Sequence, residues 1–272
     1  MVNFSGCFGL QRTWVLTYIF PALLNCRKQY LNRDCDRAPR GCCRLPVHLA
    51  PRRLMSSKLI DPTFLFRFEV AIQQTECKWT NRGLKLPTEC RLPSFGGLDD
   101  RPVFADVRMG WCSEGLGVHV TVNGKGQLPW CRESRLDDSD GFHLWIDTRC
   151  SPGIHRATQY CHRFLWMPAG GGSKREKPVT SLIPINRARA NPKSIPANSL
   201  KIAAFPRHDG YELSGFVPNA AMTGFEPTEQ PRIGLYYAVI DRELGWQTFS
   251  LGPEYPVMDD PSLWGEAVLA LE

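Results

Sequence analysis

The 272-residue sequence lacks the marks of several large protein classes. No apolar run approaches the roughly 20 residues that a membrane-spanning helix needs. Neither a G-x-S-x-G nor a G-K-[ST] motif occurs, so the usual signals of a serine hydrolase and of a phosphate-binding loop are missing. Apolar residues never recur at helical spacing over a long segment. Instead, 22 prolines and 23 glycines divide short runs rich in β-branched and aromatic residues, which predicts an all-β protein.

The excess of basic charge is confined to the N-terminal segment. The chain carries 33 Lys and Arg against 27 Asp and Glu, but nine of the former and two of the latter fall in residues 1–54. The remaining 218 residues hold 24 basic and 25 acidic groups, a net charge of −1. Nucleic acids and acidic membranes select strongly basic surfaces. We therefore expect no nucleic-acid partner, and the lack of a long apolar run predicts no membrane span.

Residues 1–54 differ from the rest in composition as well as charge. They contain five of the eleven cysteines and a short apolar run, Trp14 to Leu24, that Pro21 interrupts. The sequence has no small-residue cleavage site after this run. We interpret residues 1–54 as an upstream extension with translation starting at Met55, or as a leader. The first alternative predicts a cytoplasmic protein and the second a secreted one.

Residues 55–272 form a single predicted domain of nine or ten short strands. The clearest hairpin joins Val103–Trp111 to Leu116–Val122. Phe64–Ile72 has the composition of a first strand, and Ile233–Ile240 that of a strong late one. The predicted fold is a single antiparallel β-sandwich, jelly-roll-like. The six cysteines of this part include no C-x-x-C pair, which leaves free thiols and disulfides equally open.

The run from Asp137 to Met167 is the most informative stretch. After an acidic turn, a strand alternates strictly, so that two sets of three residues point to opposite faces. One set predicts the core: Phe142, Leu144 and Ile146. The other predicts an outward face that could form the floor of a binding site: His143, Trp145 and Asp147.

Glycans bind through aromatic rings that stack on C–H faces and through polar groups that contact hydroxyls, and this stretch supplies both. We predict stacking by Trp130 and Trp145, with Trp246 near a second stacking position. Hydrogen bonds are expected from His143, Asp147 and Arg156, whose guanidinium suits vicinal hydroxyls or a uronate carboxylate. The loop carboxylates predict a possible calcium site, since calcium prefers such oxygen ligands: Asp137, Asp138 and Asp140.

The motif Asp140-x-Phe142-x-Leu144-x-Ile146-Asp147, together with Ile233–Asp241, resembles the family 9 carbohydrate-binding modules and related sugar- or haem-binding sandwich domains. The resemblance covers roughly residues 60–272. It implies a β-sandwich that captures glycan ends between aromatic rings, with calcium nearby, and modules of this family are often attached to glycoside hydrolases. It also implies a role in carbohydrate breakdown. His143 stands where that family commonly has an acid, and no tryptophan directly precedes the acidic turn.

These observations lead to a non-catalytic glycan-binding protein as the predicted function. One alternative is an interaction or structural protein that keeps the sandwich but has lost the sugar site. The other is a carboxylate-based glycoside hydrolase that uses the loop from Asp137 to Asp140 with His143. A nucleophilic enzyme is not supported, because the serines lie in turns and no cysteine carries a mark of reactivity.

Overall fold

The computed structural model describes residues 60–196 and 198–271. The predicted extension or leader, residues 1–54, lies outside this part. No helix among the described residues is long and apolar enough to span a membrane. Their regular structure is eleven strands: β1 (Glu69–Gln74), β2 (Ala105–Cys112), β3 (Gly115–Asn123), β4 (Gly141–Asp147), β5 (Cys161–Gly171), β6 (Lys177–Leu182), β7 (Lys201–Arg207), β8 (Gly210–Pro218), β9 (Arg232–Asp241), β10 (Gly245–Thr248) and β11 (Gly265–Ala270). Six short 3₁₀ helices accompany them: Pro62–Leu65, Thr88–Cys90, Phe95–Asp99, Leu136–Asp138, Asn219–Ala221 and Pro261–Leu263.

The strands pair in the order β6-β5-β4-β9-β11-β1-β2-β3-β8-β7, and β10 pairs with β9. Strand β1 runs parallel to both of its neighbours, β11 and β2. The other pairings are antiparallel. The two ends of this continuous order fold over one another. Trp166 of β5 donates its indole N–H to the carbonyl of Lys201 in β7 at 3.1 Å.

Glycine at position 215 allows the two layers to approach closely. A Cβ on Gly215 of β8 would lie 2.4 Å from Trp166 Nε1, which is too close for any side chain. The apolar core therefore lies between the β4–β5–β9 layer and the β2–β3–β8 layer, and it includes Tyr237, Val118 and Leu213. The predicted all-β sandwich is confirmed.

The hairpin prediction is confirmed by β2 and β3, which pair antiparallel from Ala105 with Val122 to Cys112 with Gly115. The predicted first strand begins too early, because the chain turns through a 3₁₀ helix at Pro62–Leu65 before β1. Proline fixes φ at the start of that turn and removes a backbone donor. Strand β6 was not predicted. It pairs with β5 through a bulged register beyond Met167.

Candidate functional site

Strand β4 is buried on both faces, whereas its alternation predicted one buried and one open face. Phe142, Leu144 and Ile146 lie in the core as predicted. His143 and Trp145 are also fully buried, so the predicted exposure of their face is wrong. Chain segments cover this side of the strand. Tyr236 of β9, on the same face, donates its hydroxyl to the carbonyl of Leu251 at 2.7 Å.

The strand register places three side chains together on this covered face. Trp145 pairs with Arg163 of β5 on one side and with Tyr236 of β9 on the other. The Arg163 guanidinium lies 5.0 Å from the centroid of the Trp145 ring. The His143 ring stacks at 5.6 Å from the same indole, and the Tyr236 ring meets it edge-on at 5.4 Å. We call His143, Trp145 and Arg163 the donor cluster.

Arg163 links the donor cluster to the surface. Its side chain is only 5% exposed, whereas that of Asp137, which accepts from Arg163 Nη2 at 2.6 Å, is 62% exposed. Burial lowers the pKa of Arg163, and the nearby carboxylates of Asp137 and Asp259 oppose that change. A guanidinium remains charged even so. The buried positive charge is therefore balanced mainly by carboxylates at the protein surface.

Hydrogen-bond roles in the cluster follow from the chemistry of the guanidinium, which only donates. Arg163 Nη2 lies 3.2 Å from His143 Nδ1, so that ring nitrogen accepts and the proton of the neutral ring sits on Nε2. Complete burial and the charge of Arg163 hold the pKa of His143 well below its ordinary value, which keeps the ring neutral.

Each member of the donor cluster carries a buried polar atom that has no hydrogen-bond partner: His143 Nε2, Trp145 Nε1 and Arg163 Nε. With the tautomer assigned above, all three are N–H donors. Buried donors are almost always paired in folded proteins, and each exception calls for a specific explanation. These three donors lie in one contiguous group, and oxygen acceptors are the groups that pair with such donors.

The other predicted sugar-contacting residues lie apart from the donor cluster or are already engaged. The Asp147 carboxylate is buried and accepts from the backbone N–H groups of Arg149 and Ser151, which caps the turn after β4. Arg156 is exposed, and its Nε donates to the carbonyl of Arg187.

The two predicted stacking tryptophans outside β4 are half-buried. The Trp130 ring has one guanidinium at 5.6 Å and another at 4.9 Å from its centroid, those of Arg132 and Arg242. Trp246 of β10 pairs with Ile240 of β9 and packs against the core. The structure therefore brings only His143 and Trp145 of the predicted sugar-contacting set into one group.

The three carboxylates of the predicted calcium site point to three different cations. Asp137 binds Arg163, Asp138 lies 3.3 Å from Arg135 Nε, and Asp140 lies 3.0 Å from Lys125 Nζ. No group of three or more His, Cys, Asp or Glu side chains in the described part of the chain could hold a metal ion. The three carboxylates do not converge on one position.

Lys125 is the cation that binds Asp140, one of the three predicted calcium ligands. Lys125 Nζ lies 3.0 Å from Asp140 Oδ2, 2.8 Å from Asp241 Oδ1 and 3.6 Å from Glu243 Oε2. Burial acts to lower the pKa of Lys125, but hydrogen bonds to Asp241 and Asp140 outweigh it and the pKa is raised. Asp140 also accepts from the backbone N–H groups of Trp130 and Arg242. This ion cluster joins the turn after β3 to the ends of β4 and β9.

Arg163 and Lys125 are the two residues that the sequence reasoning missed. Arg163 directly precedes the apolar run Phe164–Met167. Because a charged residue in a buried strand is rarely without a partner, its position in the sequence already indicated a buried ion pair. Lys125 follows the turn Asn123-Gly124, where an exposed lysine is the ordinary expectation.

Two open clefts of the described surface have no member of the donor cluster in their walls. One of about 560 Å³ separates the edge strands β6 and β7, and one of about 800 Å³ lies beside residues 74–79 and the β2–β3 turn. The donor cluster is buried, and it is recognised by its unpartnered N–H groups rather than by an open cavity.

No family model matches this sequence, and no curated protein matches it. Similar solved structures include a family 9 carbohydrate-binding module from Caldicellulosiruptor kristjanssonii in complex with cellotriose, with TM-score 0.47, 12% identity, and coverage of 74% of this chain and 93% of that one. Another is such a module from the same organism in complex with glucose, with TM-score 0.49, 12% identity, and coverage of 76% and 97%. They belong to the family that the sequence resembles.

Proposed function

We propose that this chain is a non-catalytic glycan-binding protein whose ligand contacts the donor cluster. The observation that carries the proposal is the set of three buried N–H donors without partners on His143, Trp145 and Arg163. Sugar hydroxyls and uronate carboxylates supply the acceptor oxygens that such donors need. In this proposal Trp145 acts through its indole N–H, because Arg163 and His143 already contact its ring.

The exposed carboxylate of Asp137 occupies the position that a ligand oxygen would take on Arg163. Its side chain is 62% exposed while it holds the buried guanidinium at 2.6 Å. Because Asp137 is the solvent-facing partner of this pair, a ligand oxygen that binds the Arg163 guanidinium in the same way can take its place. In this proposal the Asp137 side chain rotates away from Arg163, and an oxygen of a glycan end or a uronate binds the guanidinium in its place.

Replacing Arg163 by methionine is expected to weaken glycan binding by about 10- to 100-fold, because a hydrogen bond to a charged group contributes about 1.5–3 kcal/mol. A glycan array of the full chain identifies the ligand, with cellotriose, glucose and glucuronate as first probes for calorimetry. Arg82→Met removes an exposed arginine that belongs neither to the donor cluster nor to the predicted sugar-contacting residues, and it serves as the matched control. The melting temperature of each variant verifies that it folds.

The proposal fails if no glycan on a broad array binds the wild type, or if Arg163→Met binds as tightly as Arg82→Met. The first outcome favours the alternative of an interaction protein without a sugar site. The complete burial of His143 and Trp145 is the observation that supports this alternative. The hydrolase alternative has less support, since Asp137 and Asp140 are each bound to a separate cation.

A further inference from the structure

A cleft of about 800 Å³ beside the β2–β3 turn has two cysteines in its wall, Cys77 and Cys112. Both are half-buried and neither is in a disulfide. Cys77 belongs to the segment that follows β1, and Cys112 is the last residue of β2. The site is separate from the donor cluster, so the inference does not depend on glycan binding.

Two glycines bring Cys77 close to the hairpin. Gly110 of β2 and Gly117 of β3 are paired across the strands. A Cβ on Gly117 would lie 3.3 Å from Cys77 Sγ and 2.2 Å from Leu84 Cδ2, so only glycine leaves room for the segment after β1. Cys77 Sγ lies 4.0 Å from the Gly110 carbonyl oxygen. Cys112 is two residues beyond Gly110, and in a strand that spacing keeps both on one face.

Both thiols lie in the wall of the same cleft. Burial raises the pKa of Cys77 well above its ordinary range, and a side-chain hydrogen bond with Cys112 raises it further. The nearby backbone also fixes the two segments, since Thr75 N–H donates to the Trp111 carbonyl at 2.8 Å. Cys77 Sγ therefore lies over the Gly110–Gly117 pair, on the face of the hairpin that also carries Cys112.

We propose that Cys77 and Cys112 are a redox modification site that forms a reversible disulfide bond on exposure to a peroxide. The Cys112 sulfur attacks one peroxide oxygen and becomes a sulfenic acid, and the other oxygen leaves as water. The Cys77 sulfur then attacks the sulfenic sulfur, and a second water leaves. Two thiols and one hydrogen peroxide thus give one disulfide and two waters. A dithiol reductant reverses the bond by thiol exchange.

The bond would tie the segment after β1 to the β2–β3 hairpin along one wall of the cleft. A cross-link between these positions closes a loop in the unfolded chain and lowers its conformational entropy, which stabilises the folded state relative to the unfolded one. Oxidation is therefore expected to raise the melting temperature, and reduction to return it to the starting value.

Peptide mapping of the full chain tests the proposal. The reduced protein is treated with hydrogen peroxide, free thiols are alkylated, and the protein is digested with trypsin. Cys77, Cys112 and Cys90 fall in separate tryptic peptides, residues 68–78, 109–125 and 86–91. We expect a linked 68–78/109–125 pair after oxidation that disappears with dithiothreitol. Cys112→Ser should abolish this pair, and Cys150→Ser, which changes another half-buried cysteine, should retain it.

The proposal is overturned if both peptides remain fully alkylated after peroxide treatment. It is also overturned if Cys77 links to the buried Cys90, whose sulfur lies near Gly110 on the same side of the hairpin. A linked pair that persists with no rise in melting temperature would contradict the stabilising role of the bond.

Discussion

Replacing Lys125 by methionine is expected to lower the free energy of unfolding by about 3–5 kcal/mol, the usual result of removing one partner of a buried ion pair. The Lys125 side chain is 2% exposed, and the side chains of its partners Asp140 and Asp241 are fully buried. Methionine fills much of the same volume but carries no charge. Two carboxylates would then remain inside the protein without a cation, and the ends of β4 and β9 would be destabilised.

Urea denaturation at about pH 8 measures this loss. Lys174→Met replaces an exposed lysine and is expected to stay within about 0.5 kcal/mol of the wild type. Burial already raises the pKa of Asp140. Protonation of this carboxyl as the pH falls towards about 5 should therefore reduce the loss of stability in the Lys125→Met variant. A loss below about 1 kcal/mol, or one independent of pH, would contradict the role assigned to Lys125.

Acid is expected to destabilise the protein through His162, by about 3 kcal/mol as the pH falls from about 6.5 to about 4. Burial lowers the pKa of His162 to about 4. Between about pH 6.5 and about pH 4 the His162 ring is therefore protonated in the unfolded chain but neutral in the folded one, and the free energy of unfolding falls. Above pH 6.5 both states carry a neutral ring and the effect vanishes. His143, whose pKa is held well below its ordinary value, adds to the loss.

Denaturation across this pH range, compared with His162→Gln, tests the effect. His162 Nδ1 lies 3.0 Å from the Tyr160 carbonyl, and its Nε2 accepts from Thr223 N–H at 2.9 Å. A glutamine amide can supply a donor and an acceptor but does not titrate. The variant should show a flatter pH profile, while His208→Gln, at an exposed position, should follow the wild type. Equal slopes for all three proteins would refute the assignment.

The sequence predicted most of the strands because their signals are local. The hairpin of β2 and β3 follows from two β-rich runs around Ser113-Glu114, and β4 follows from a strict alternation that sets Phe142, Leu144 and Ile146 in the core. Local signals also explain the error at β1, where Pro62 starts a 3₁₀ turn inside a run of strand-forming composition. Its parallel neighbours, β2 and β11, depend on contacts that no local pattern specifies.

The site was predicted only in part, because the cover of the β4 face comes from distant residues. Tyr236 is tied to Leu251, and Arg163 to Asp137, so His143 and Trp145 are enclosed by segments that the alternation of β4 cannot reveal. The three predicted calcium ligands are held apart for a similar reason, because each binds a different cationic side chain. Asp140 has the environment expected of a cation ligand, but its cation is the ammonium of Lys125 from another turn.

The affinity of the Asp137→Ala variant for the glycan identified on the array tests the central claim most directly. If the Asp137 carboxylate occupies the ligand position on Arg163, removing it should tighten binding several-fold, which a purely structural role cannot produce. Asp138→Ala, which removes the neighbouring exposed carboxylate paired with Arg135, should leave the affinity unchanged. Asp137→Asn provides a second variant if alanine impairs folding, and calorimetric titration measures each dissociation constant. Tighter binding of the Asp137 variant alone is the predicted result, and unchanged or weaker binding in a folded variant would contradict a ligand site at the donor cluster.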